Sequence, residues 1–342
     1  MKFLIFLTFA LLNLFSINDK GNILVTGGNG YIGLSTCRVL KEQGYTPVSV
    51  DNSSNSTMPK ITWGSVKKGD ILNKEWLRSI FKKYKFVGII HLAAKIYVPD
   101  SVNNPLMYYR ENITGTINLL ELAAEFGVYG IVFASTSAVY GILESDTPVS
   151  ESQPLNPLSP YAETKLVAEH LLKFIWDRYR IPSAILRIFN VCGIDGATDN
   201  KDGHSPHLIP CLVKAFKKQP TKVEIFGTDY DTKDGTCLRD YVHVIDVAKA
   251  FVAALEYVLI KREPITANIG TGTGYSVREV AQAVSKYANQ PYTENCLPRR
   301  SGDVPLVVAD ISKATQSFNW KPEHSTLENI VQSYYDTPTK SP

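Results

Sequence analysis

The chain has 342 residues, with 36 Lys and Arg against 33 Asp and Glu, a formal net charge of +3. Its 44% hydrophobic and 20% charged residues exclude a disordered or fibrous chain, and the length suits two domains or one large one. So small a charge gives no basic field, so nucleic acid is not an expected partner. The five cysteines form no CxxC pair, which argues against a zinc ribbon and favours a reducing compartment.

The first element is an apolar run from Phe3 to Phe15, preceded by Lys2. A run of about 13 residues is too short for a membrane span, which needs roughly 20, but it fits the apolar region of a signal peptide. The residues that follow, Leu14 to Asn18, offer no small-x-small cleavage pattern. We interpret residues 1–20 as a hydrophobic N-terminal leader or extension.

From Gly21 onward, short apolar strands alternate with longer segments of helical periodicity. This alternation predicts an α/β fold with a doubly wound, Rossmann-like parallel sheet over 21–188. After about residue 189 Gly, Asp and Pro become frequent, which predicts a smaller α/β substrate lobe over 189–342, with a soft boundary. The predicted strands are 22–25, 47–50, 86–92, 130–135 and 183–186, and the predicted helices are 31–43, 73–81, 105–126 and 161–179.

A glycine-rich turn follows the first strand and opens the first helix, with Gly27, Gly30 and Gly33 in GxxGxxG spacing. Such a turn lets the backbone approach a pyrophosphate at the helix N-terminus. Asp51 ends the second strand, where a carboxylate binds the ribose diol and repels a 2′-phosphate, so NAD is favoured over NADP. Asp70 is placed either at the adenine amino group or, equally well, as the N-cap of the helix over 73–81.

Tyr161 and Lys165 lie four residues apart on one face of a predicted helix. A nearby ammonium is expected to lower the pKa of the phenol, so that Tyr161 can exchange a proton with a substrate hydroxyl. Thr136 ends a strand at the expected ligand crevice and can donate to the same substrate oxygen. A second pair of this spacing, Tyr257 and Lys261, lies in an apolar stripe and is interpreted as a packing helix.

Ten segments together carry a family resemblance that runs from about Asn22 to Trp320. The chain resembles the extended short-chain dehydrogenases, most closely their UDP-glucose 4-epimerase branch. Ser137 and Ala138 stand where related dehydratases and decarboxylases carry carboxylates, which favours an epimerase. The segments are ILVTGGNGYIG, VDNSSNS, HLAAK, STSAVYG, SPYAETK, LRIFNVCG, PHLIP, IFGTDYDTKDGTCLRDYVHVIDVA, NIGTGTGYSVREV and PRRSGDVP.

The resemblance implies NAD-dependent 4-epimerisation of a UDP-hexose. Tyr161 would take the proton of the sugar 4-hydroxyl while NAD takes the C4 hydride. The transient 4-keto sugar then turns before the hydride returns, and the NAD stays bound. The resemblance places Tyr161 and Lys165 at NAD too, with Tyr31, Ile32, Asn52, Ser56, Ile71, Leu92 and Asn112. It places Thr136 at the UDP-sugar, with Asn190, His207, Leu208, Phe226, Arg239, Arg300, Asp303 and Val307.

The arginines among these residues have a separate physical argument, because guanidinium groups bind diphosphate in a bidentate manner. The alternative for them is a surface ion pair with Asp240 or Asp303. His207 follows His204 by three residues, but no third ligand accompanies them, so no metal site is expected.

Two positions depart from the family pattern. Lys95 stands one place before the position of a lysine that touches the nicotinamide ribose in many members. Val307 stands where some members carry Tyr, so the smaller side chain is expected to leave room for a 2-N-acetyl group. The hypothesis is that UDP-N-acetylhexosamines are also substrates.

Other functions make different demands on the same residues. A UDP-pentose or UDP-uronate 4-epimerase would share the catalytic pair, and an NAD-sensing binding protein would be expected to have lost Tyr161 or Lys165. The family also implies a homodimer through the helices over 105–126 and 161–179. The Asn-x-Ser/Thr sequons at Asn52, Asn55 and Asn112 lie in the expected NAD site, which favours a cytoplasmic enzyme over a glycosylated one.

Overall fold

The computed structural model describes residues 20–54, 63–142, 148–196, 207–300 and 303–336. Residues 1–19, which belong to the predicted leader or extension, and the predicted NAD contact Ser56 lie outside these ranges. In the part of the chain that is described, no helix is both long and apolar enough to cross a bilayer.

The strands alternate with helices over the first two thirds of the chain, as predicted. The strands are β1 (Asn22–Thr26), β2 (Thr46–Asp51), β3 (Ser65–Lys68), β4 (Phe86–His91), β5 (Ile131–Thr136), β6 (Ser183–Ile188), β7 (Asn190–Cys192), β8 (Lys222–Phe226), β9 (Leu238–His243), β10 (Ile265–Ile269), β11 (Gly274–Ser276), β12 (Thr293–Leu297) and β13 (Leu306–Val307). The α-helices are α1 (Tyr31–Glu42), α2 (Lys74–Lys83), α3 (Val98–Asn103), α4 (Pro105–Tyr109), α5 (Gly115–Glu125), α6 (Pro160–Tyr179), α7 (Leu208–Ala215), α8 (Val244–Lys261), α9 (Val277–Ala288), α10 (Ser312–Phe318) and α11 (Leu327–Asp336).

A seven-stranded sheet of order β10-β6-β5-β4-β1-β2-β3 forms the centre of the fold. All its pairings are parallel. Helices α1 and α8 enclose one apolar layer against the sheet, with Leu40 and Phe251 fully buried in it. Helices α2, α5 and α6 enclose the other layer, with Leu77 and Leu119 at its centre. The predicted doubly wound, Rossmann-like sheet is confirmed.

The strand order reverses between β1 and β4, since β1 pairs with β2 on one side and with β4 on the other. In a parallel sheet such a reversal leaves a crevice at the carboxyl ends of the strands. The glycine-rich turn, Asp51, His91 and Thr136 all lie at these ends. The fold therefore gathers the residues singled out by the sequence at one edge of the sheet.

The helix predicted over 105–126 is interrupted. A π-helical turn, Arg110–Thr114, separates α4 from α5. Single π-turns inside helices widen the backbone locally and often occur at functional sites. Here the turn places the Asn112 side chain inward, where it is 5% exposed.

The second unit is built around β9, which pairs with β7, β11 and β13, while β8 pairs with β12. Its core includes Ile225, Val280 and Ile330. After β9 the chain returns to the first unit, where α8 packs on α1 and β10 joins the first sheet beside β6. A single cut near residue 189 therefore remains an approximate division.

Candidate active site

In the glycine-rich turn, the backbone lies so close to neighbouring atoms that a side chain would clash with them. Gly27 has φ of +67°, and a Cβ on Gly33 would lie 2.2 Å from the Gly27 carbonyl oxygen. A Cβ on Gly28 would lie 2.4 Å from Ser49 Oγ. These contacts press the start of α1 against β1 and β2, as a pyrophosphate-binding turn requires.

The N-terminus of α1 presents backbone N–H groups at this turn. Its N-cap, Gly30, supplies no side-chain cap, and Tyr31 and Ile32 open the helix behind it. The Tyr31 hydroxyl donates to the carbonyl oxygen of Gly193, which ties the turn to the chain just after β7. The turn fits a dinucleotide pyrophosphate because uncapped N–H groups and the helix dipole both favour an anion.

Asp51 lies against the turn at the end of β2. Its Oδ2 accepts from the Asn29 N–H at 3.1 Å and its Oδ1 accepts from the Ser53 N–H at 2.7 Å. These bonds hold the carboxylate at the crevice, beside the turn. The structure thus brings Asp51 to the place expected for a ribose-binding carboxylate.

Asp70 begins a turn and does not cap α2. Asn73 is the N-cap, since its side chain accepts from the Trp76 N–H at 3.0 Å. Asp70 Oδ1 accepts from the Leu72 N–H at 2.9 Å, and Oδ2 accepts from the Asn52 amide at 3.0 Å. The capping alternative for Asp70 is therefore wrong, and the residue pairs with Asn52. Ile71 follows it and is buried in the second apolar layer.

Asn112 is held by the protein on every polar atom of its side chain. Its Oδ1 accepts from the Lys95 N–H at 2.8 Å, and its amide donates to the Lys95 carbonyl and to Thr164 Oγ1, each at 3.0 Å. Leu92 begins the same segment, where its N–H donates to the Thr26 carbonyl. Asn112 thus fixes the segment after β4 to α6, the helix of the catalytic pair.

His91 forms a second link across this edge. Its Nδ1 lies 2.7 Å from Thr26 Oγ1 and its Nε2 lies 3.0 Å from Thr116 Oγ1. The Thr116 hydroxyl donates to the Asn112 carbonyl, so Thr116 accepts from Nε2–H and Thr26 donates to Nδ1. Burial, with a further contribution from the charge of Lys165, lowers the pKa of His91 to about 3. The imidazole is therefore neutral and structural.

Tyr161 and Lys165 lie in the first turns of α6, where Ser159 is the N-cap and Pro160 the first helical residue. Thr136 ends β5 beside them, with its hydroxyl near the phenol of Tyr161. Burial raises the pKa of Tyr161 to about 12, and the nearby Thr136 hydroxyl opposes that rise. The structure brings all three predicted catalytic residues together.

Lys165 is nearly fully buried and donates to the Ala134 carbonyl oxygen at 2.8 Å. Burial lowers the pKa of Lys165 to about 7. The expectation that its ammonium lowers the pKa of Tyr161 is wrong for this structure, because burial of the phenol dominates and the ammonium is directed at β5.

The second Tyr-x-x-x-Lys pair lies far from this edge. Tyr257 packs its ring against Phe318 at 5.5 Å between centroids, on the apolar face of α8. Lys261 is the exposed last residue of that helix. The interpretation of this pair as part of a packing helix is confirmed.

The predicted UDP-sugar residues are distributed over the second unit. Arg239 on β9 donates to the Val304 carbonyl at 2.8 Å and pairs with Asp303 at 3.4 Å. The alternative partner Asp240 does not pair with it, since its carboxylate accepts from Thr271 and Ala309. The other members of the set have separate positions. Arg300 stacks on the Phe226 ring at 3.7 Å, Asn190 is exposed at the start of β7, His207 is the N-cap of α7 with Leu208 next to it, and Val307 pairs with Arg239 in the sheet.

Sequence reasoning missed two buried charged residues beside the catalytic pair, Glu169 and Arg187. Their side chains are 2% and 5% exposed, and Arg187 Nη2 donates to Glu169 Oε2 at 2.8 Å. The signals were available: Glu169 lies two turns after Tyr161 on the same helical face, and Arg187 interrupts an apolar strand. A lone charge in a buried strand predicts an opposite charge on the element packed above it.

Comparison with known proteins decides the family. The profile of the NAD dependent epimerase/dehydratase family matches residues 23–270. The chain belongs to this family.

Individual members of the epimerase family match nearly the whole chain. A UDP-glucose 4-epimerase of Rhizobium meliloti is 41% identical over 320 residues, which are 93% of this chain and 97% of that protein. The crystal structure of UDP-glucose 4-epimerase from Brucella ovis in complex with NAD superposes with a TM-score of 0.87 at 37% identity, covering 92% and 97% of the two chains. The UDP-Glc/GlcNAc 4-epimerase from Campylobacter jejuni superposes with a TM-score of 0.81 at 34% identity, covering 92% and 98%. The resemblance drawn from the motifs is confirmed.

Proposed function

We propose that this chain catalyses the NAD-dependent 4-epimerisation of a UDP-hexose, interconverting UDP-glucose and UDP-galactose. The observation that carries the proposal is the meeting of Thr136, Tyr161 and Lys165 beside the glycine-rich turn. Relatives named UDP-glucose 4-epimerase share this architecture over more than nine tenths of their length. The pentose, uronate and NAD-sensing alternatives are not favoured by these relatives.

The cofactor end of the site follows from the fold. The turn from Gly27 to Gly33 would hold the pyrophosphate and Asp51 the adenosine ribose. Bound NAD would supply a reversible acceptor for the C4 hydride of the sugar. Asn52, Ile71, Leu92, Asn112 and the undescribed Ser56 stay predictions as NAD contacts.

The protein's own part in the reaction is proton transfer at the sugar O4. The phenolate of Tyr161 would accept the hydroxyl proton and later return it, and the positive charge of bound NAD would favour that phenolate, while Thr136 would donate to the reacting oxygen. Lys165 anchors this turn of α6 to β5 through Ala134. Tyr161 is half-buried at this edge of the sheet, and its burial raises the pKa of the phenol.

The second unit would hold the nucleotide end of the substrate. Arg239 and Arg300 supply guanidinium groups for the diphosphate, and Phe226 supplies an aromatic face. Because the sugar is then anchored only through its phosphates, it is free to present either face to the hydride acceptor. Asp303 holds the Arg239 guanidinium in place.

The test is incubation of purified protein with UDP-galactose and no added NAD, followed by analysis of the product sugar. UDP-glucose should form, and acid extraction of the protein should release NAD. Tyr161→Phe should retain the extracted NAD and lose turnover. Absence of product from wild-type protein that carries NAD would refute the proposal.

The wider substrate range rests on Val307. This half-buried residue packs against the cluster of Val139 and Tyr140, which lie three and four residues after Thr136, and it pairs with Arg239. It therefore lies between the diphosphate end and the reacting end of the substrate, where a small side chain leaves room for a 2-N-acetyl group. UDP-N-acetylgalactosamine should be turned over, and Val307→Tyr should lose that activity while keeping UDP-galactose turnover. If the wild type does not turn over UDP-N-acetylgalactosamine, the wider substrate range is refuted.

A homodimer is proposed through α4, α5 and α6, which cover the two long predicted helices. These helices pack side by side and expose large apolar side chains, with Leu106 78% and Phe174 66% exposed. A second copy of the same surface would bury them. Light scattering should give twice the chain mass, and Leu106→Glu with Phe174→Glu should give the single mass; a monomeric wild type would contradict the proposal.

A cytoplasmic location is proposed from the sequons. Asn112 is 5% exposed with its amide fully bonded, so a glycan at this site is incompatible with the fold. Sequencing the mature N-terminus tests the proposal, since removal of the leader would indicate secretion.

A further inference from the structure

The ion pair between Glu169 and Arg187 is the most deeply buried one in the described part of the chain. Arg187 Nε donates to Glu169 Oε1 at 3.1 Å, and Nη2 donates to Oε2 at 2.8 Å. Placing two charges in a core has a large desolvation penalty, and apolar replacements of such pairs are often no less stable. The pair therefore calls for an explanation other than stability.

The ion pair is hydrogen-bonded to the chain both before and after Thr136. Ser135, directly before Thr136, donates to Glu169 Oε1 at 2.5 Å. Tyr140 ends the 3-10 turn after Thr136, and Arg187 Nη1 donates to its hydroxyl at 3.1 Å. The catalytic hydroxyl thus lies between two residues bonded to one ion pair.

The same pair sets α6 against β5. Tyr161, Lys165 and Glu169 lie at successive turns of one face of the helix. Lys165 contacts Ala134 and Glu169 contacts Ser135, while Tyr161 contacts Thr136. Three consecutive residues of the strand therefore face three turns of the helix, and Ala134 and Ser135 are hydrogen-bonded to it.

The hydrogen bonds continue with a consistent direction beyond the pair. The Tyr140 hydroxyl accepts from Arg187 and donates to Asn268 Oδ1 at 2.6 Å. The Asn268 amide then donates to the Val149 carbonyl at 2.7 Å. The turn after Thr136 is thereby fastened to β10 at the sheet edge.

We propose that Glu169 and Arg187 are positioning residues that hold the Thr136 hydroxyl against the phenol of Tyr161. The proposal rests on the epimerase function given above and deepens it. Neither residue touches the sugar or NAD in this assignment, because both act through Ser135 and Tyr140. Loss of the pair lets the turn and the helix shift relative to each other, and displacement of about 1 Å at a reacting centre can reduce the rate by about a hundredfold.

The experiment is a double-mutant cycle on UDP-galactose turnover with Glu169→Gln, Thr136→Val and the double variant. Glu169→Gln keeps the shape but places an amide N–H₂ against the guanidinium. We expect kcat to fall by about tenfold or more, with KM changed by less than about twofold and NAD content unchanged. In the Thr136→Val background, Glu169→Gln should cause no further loss, because the group that it positions is gone.

Asp246→Asn is the matched control. Asp246 is a fully buried carboxylate that accepts from Ser325 at 2.5 Å and has no hydrogen bond to Glu169, Arg187, Ser135 or Tyr140 among the described residues. It should lower the Tm as Glu169→Gln does and leave kcat unchanged. If Glu169→Gln fails to fold, Ser135→Ala and Tyr140→Phe serve in its place. Ser135→Ala removes the hydrogen bond to Glu169, Tyr140→Phe removes the one from Arg187, and each should lower kcat in the same manner.

Two results would overturn the positioning role: an unchanged kcat in folded variants that carry NAD, or losses that multiply with that of Thr136→Val. Either would leave the epimerase function standing, since the wild type is measured in the same series. A wild type without turnover would instead refute the function itself.

Discussion

The ammonium of Lys165 donates a hydrogen bond of 2.8 Å to the backbone carbonyl of Ala134, and the side chain is nearly fully buried between α6 and β5. The ring of Phe133 lies 4.8 Å beneath the same nitrogen. A cation is thus placed at the border of the apolar core. Its position has consequences for stability that can be separated from those for catalysis.

Replacing Lys165 should stabilise the protein in a pH-dependent manner. The folded-state pKa is about 7 and the ordinary value is 10.5, so the unfolded chain binds the extra proton between these values. The penalty for burying the charge is fully present below about pH 7 and fades as the pH rises toward 10. Lys165→Met should therefore raise the Tm by several degrees at pH 6 and much less at pH 9.5, measured calorimetrically. Lys261→Met, at an exposed site, serves as the control, and equal shifts at both pH values would contradict the assignment.

The two Tyr-x-x-x-Lys pairs should behave oppositely in activity. Tyr161→Phe should lower kcat by about a hundredfold or more through loss of general acid–base catalysis, and Lys165→Met should lower it by a similar factor because α6 loses its bond to Ala134. Tyr257→Phe and Lys261→Met should leave kcat within about twofold, because Tyr257 only packs on Phe318. Steady-state rates with UDP-galactose decide the matter. Loss of activity in the Tyr257 or Lys261 variant would contradict the placement of the active site at Tyr161 and Lys165.

The glycines of the turn should differ in their tolerance of a methyl group. A Cβ on Gly33 meets the Gly27 carbonyl oxygen at 2.2 Å and Gly28 Cα at 2.6 Å, whereas a Cβ on Gly30 has its nearest neighbour at 3.2 Å. Gly33→Ala should cost about 1–3 kcal/mol of unfolding free energy, and Gly30→Ala less than about 1 kcal/mol. Thermal unfolding of the two variants gives the comparison, and equal losses would argue against the close approach of α1 to the turn.

His91 should stabilise the protein only while it is neutral. Its folded-state pKa of about 3 lies below the ordinary 6.5, so the unfolded chain gains a proton first and stability falls as the pH drops through this window. His91→Leu should cost about 1–3 kcal/mol at pH 7.5, because Thr26 and Thr116 lose their partner. The difference from wild type should shrink at pH 4.5. The exposed His170, changed to Gln, should show neither effect, and a pH-independent difference would contradict the neutral state of His91.

The sequence allowed the first sheet and the cofactor edge to be predicted because both depend on local patterns. Apolar strands, helical periodicity and the glycine spacing each lie within a few residues, and Asp51 needs only its place at a strand end. Asp70 shows the limit of such reasoning, since the choice between it and Asn73 as cap depends on which side chain reaches the Trp76 N–H.

Features that join distant segments could not be read in the same way. Glu169 and Arg187 are 18 residues apart, and nothing local says that they meet or that Ser135 and Tyr140 join them. The π-helical turn at Arg110–Thr114 lies within an ordinary helical pattern, and it is fixed by bonds from Asn112 to Lys95 and Thr164. The placement of β10 in the first sheet depends equally on tertiary packing.

That last strand has a consequence for the order in which the chain can fold during synthesis. Strand β6 obtains its outer partner only when Ile265–Ile269 has left the ribosome, and α1 obtains its neighbour only with Val244–Lys261. Because β7, β8 and β9 of the second unit emerge before either, part of the substrate half is synthesised before the cofactor half can be completed. The nascent chain must therefore keep β6 as an open sheet edge until β10 is made and pairs with it.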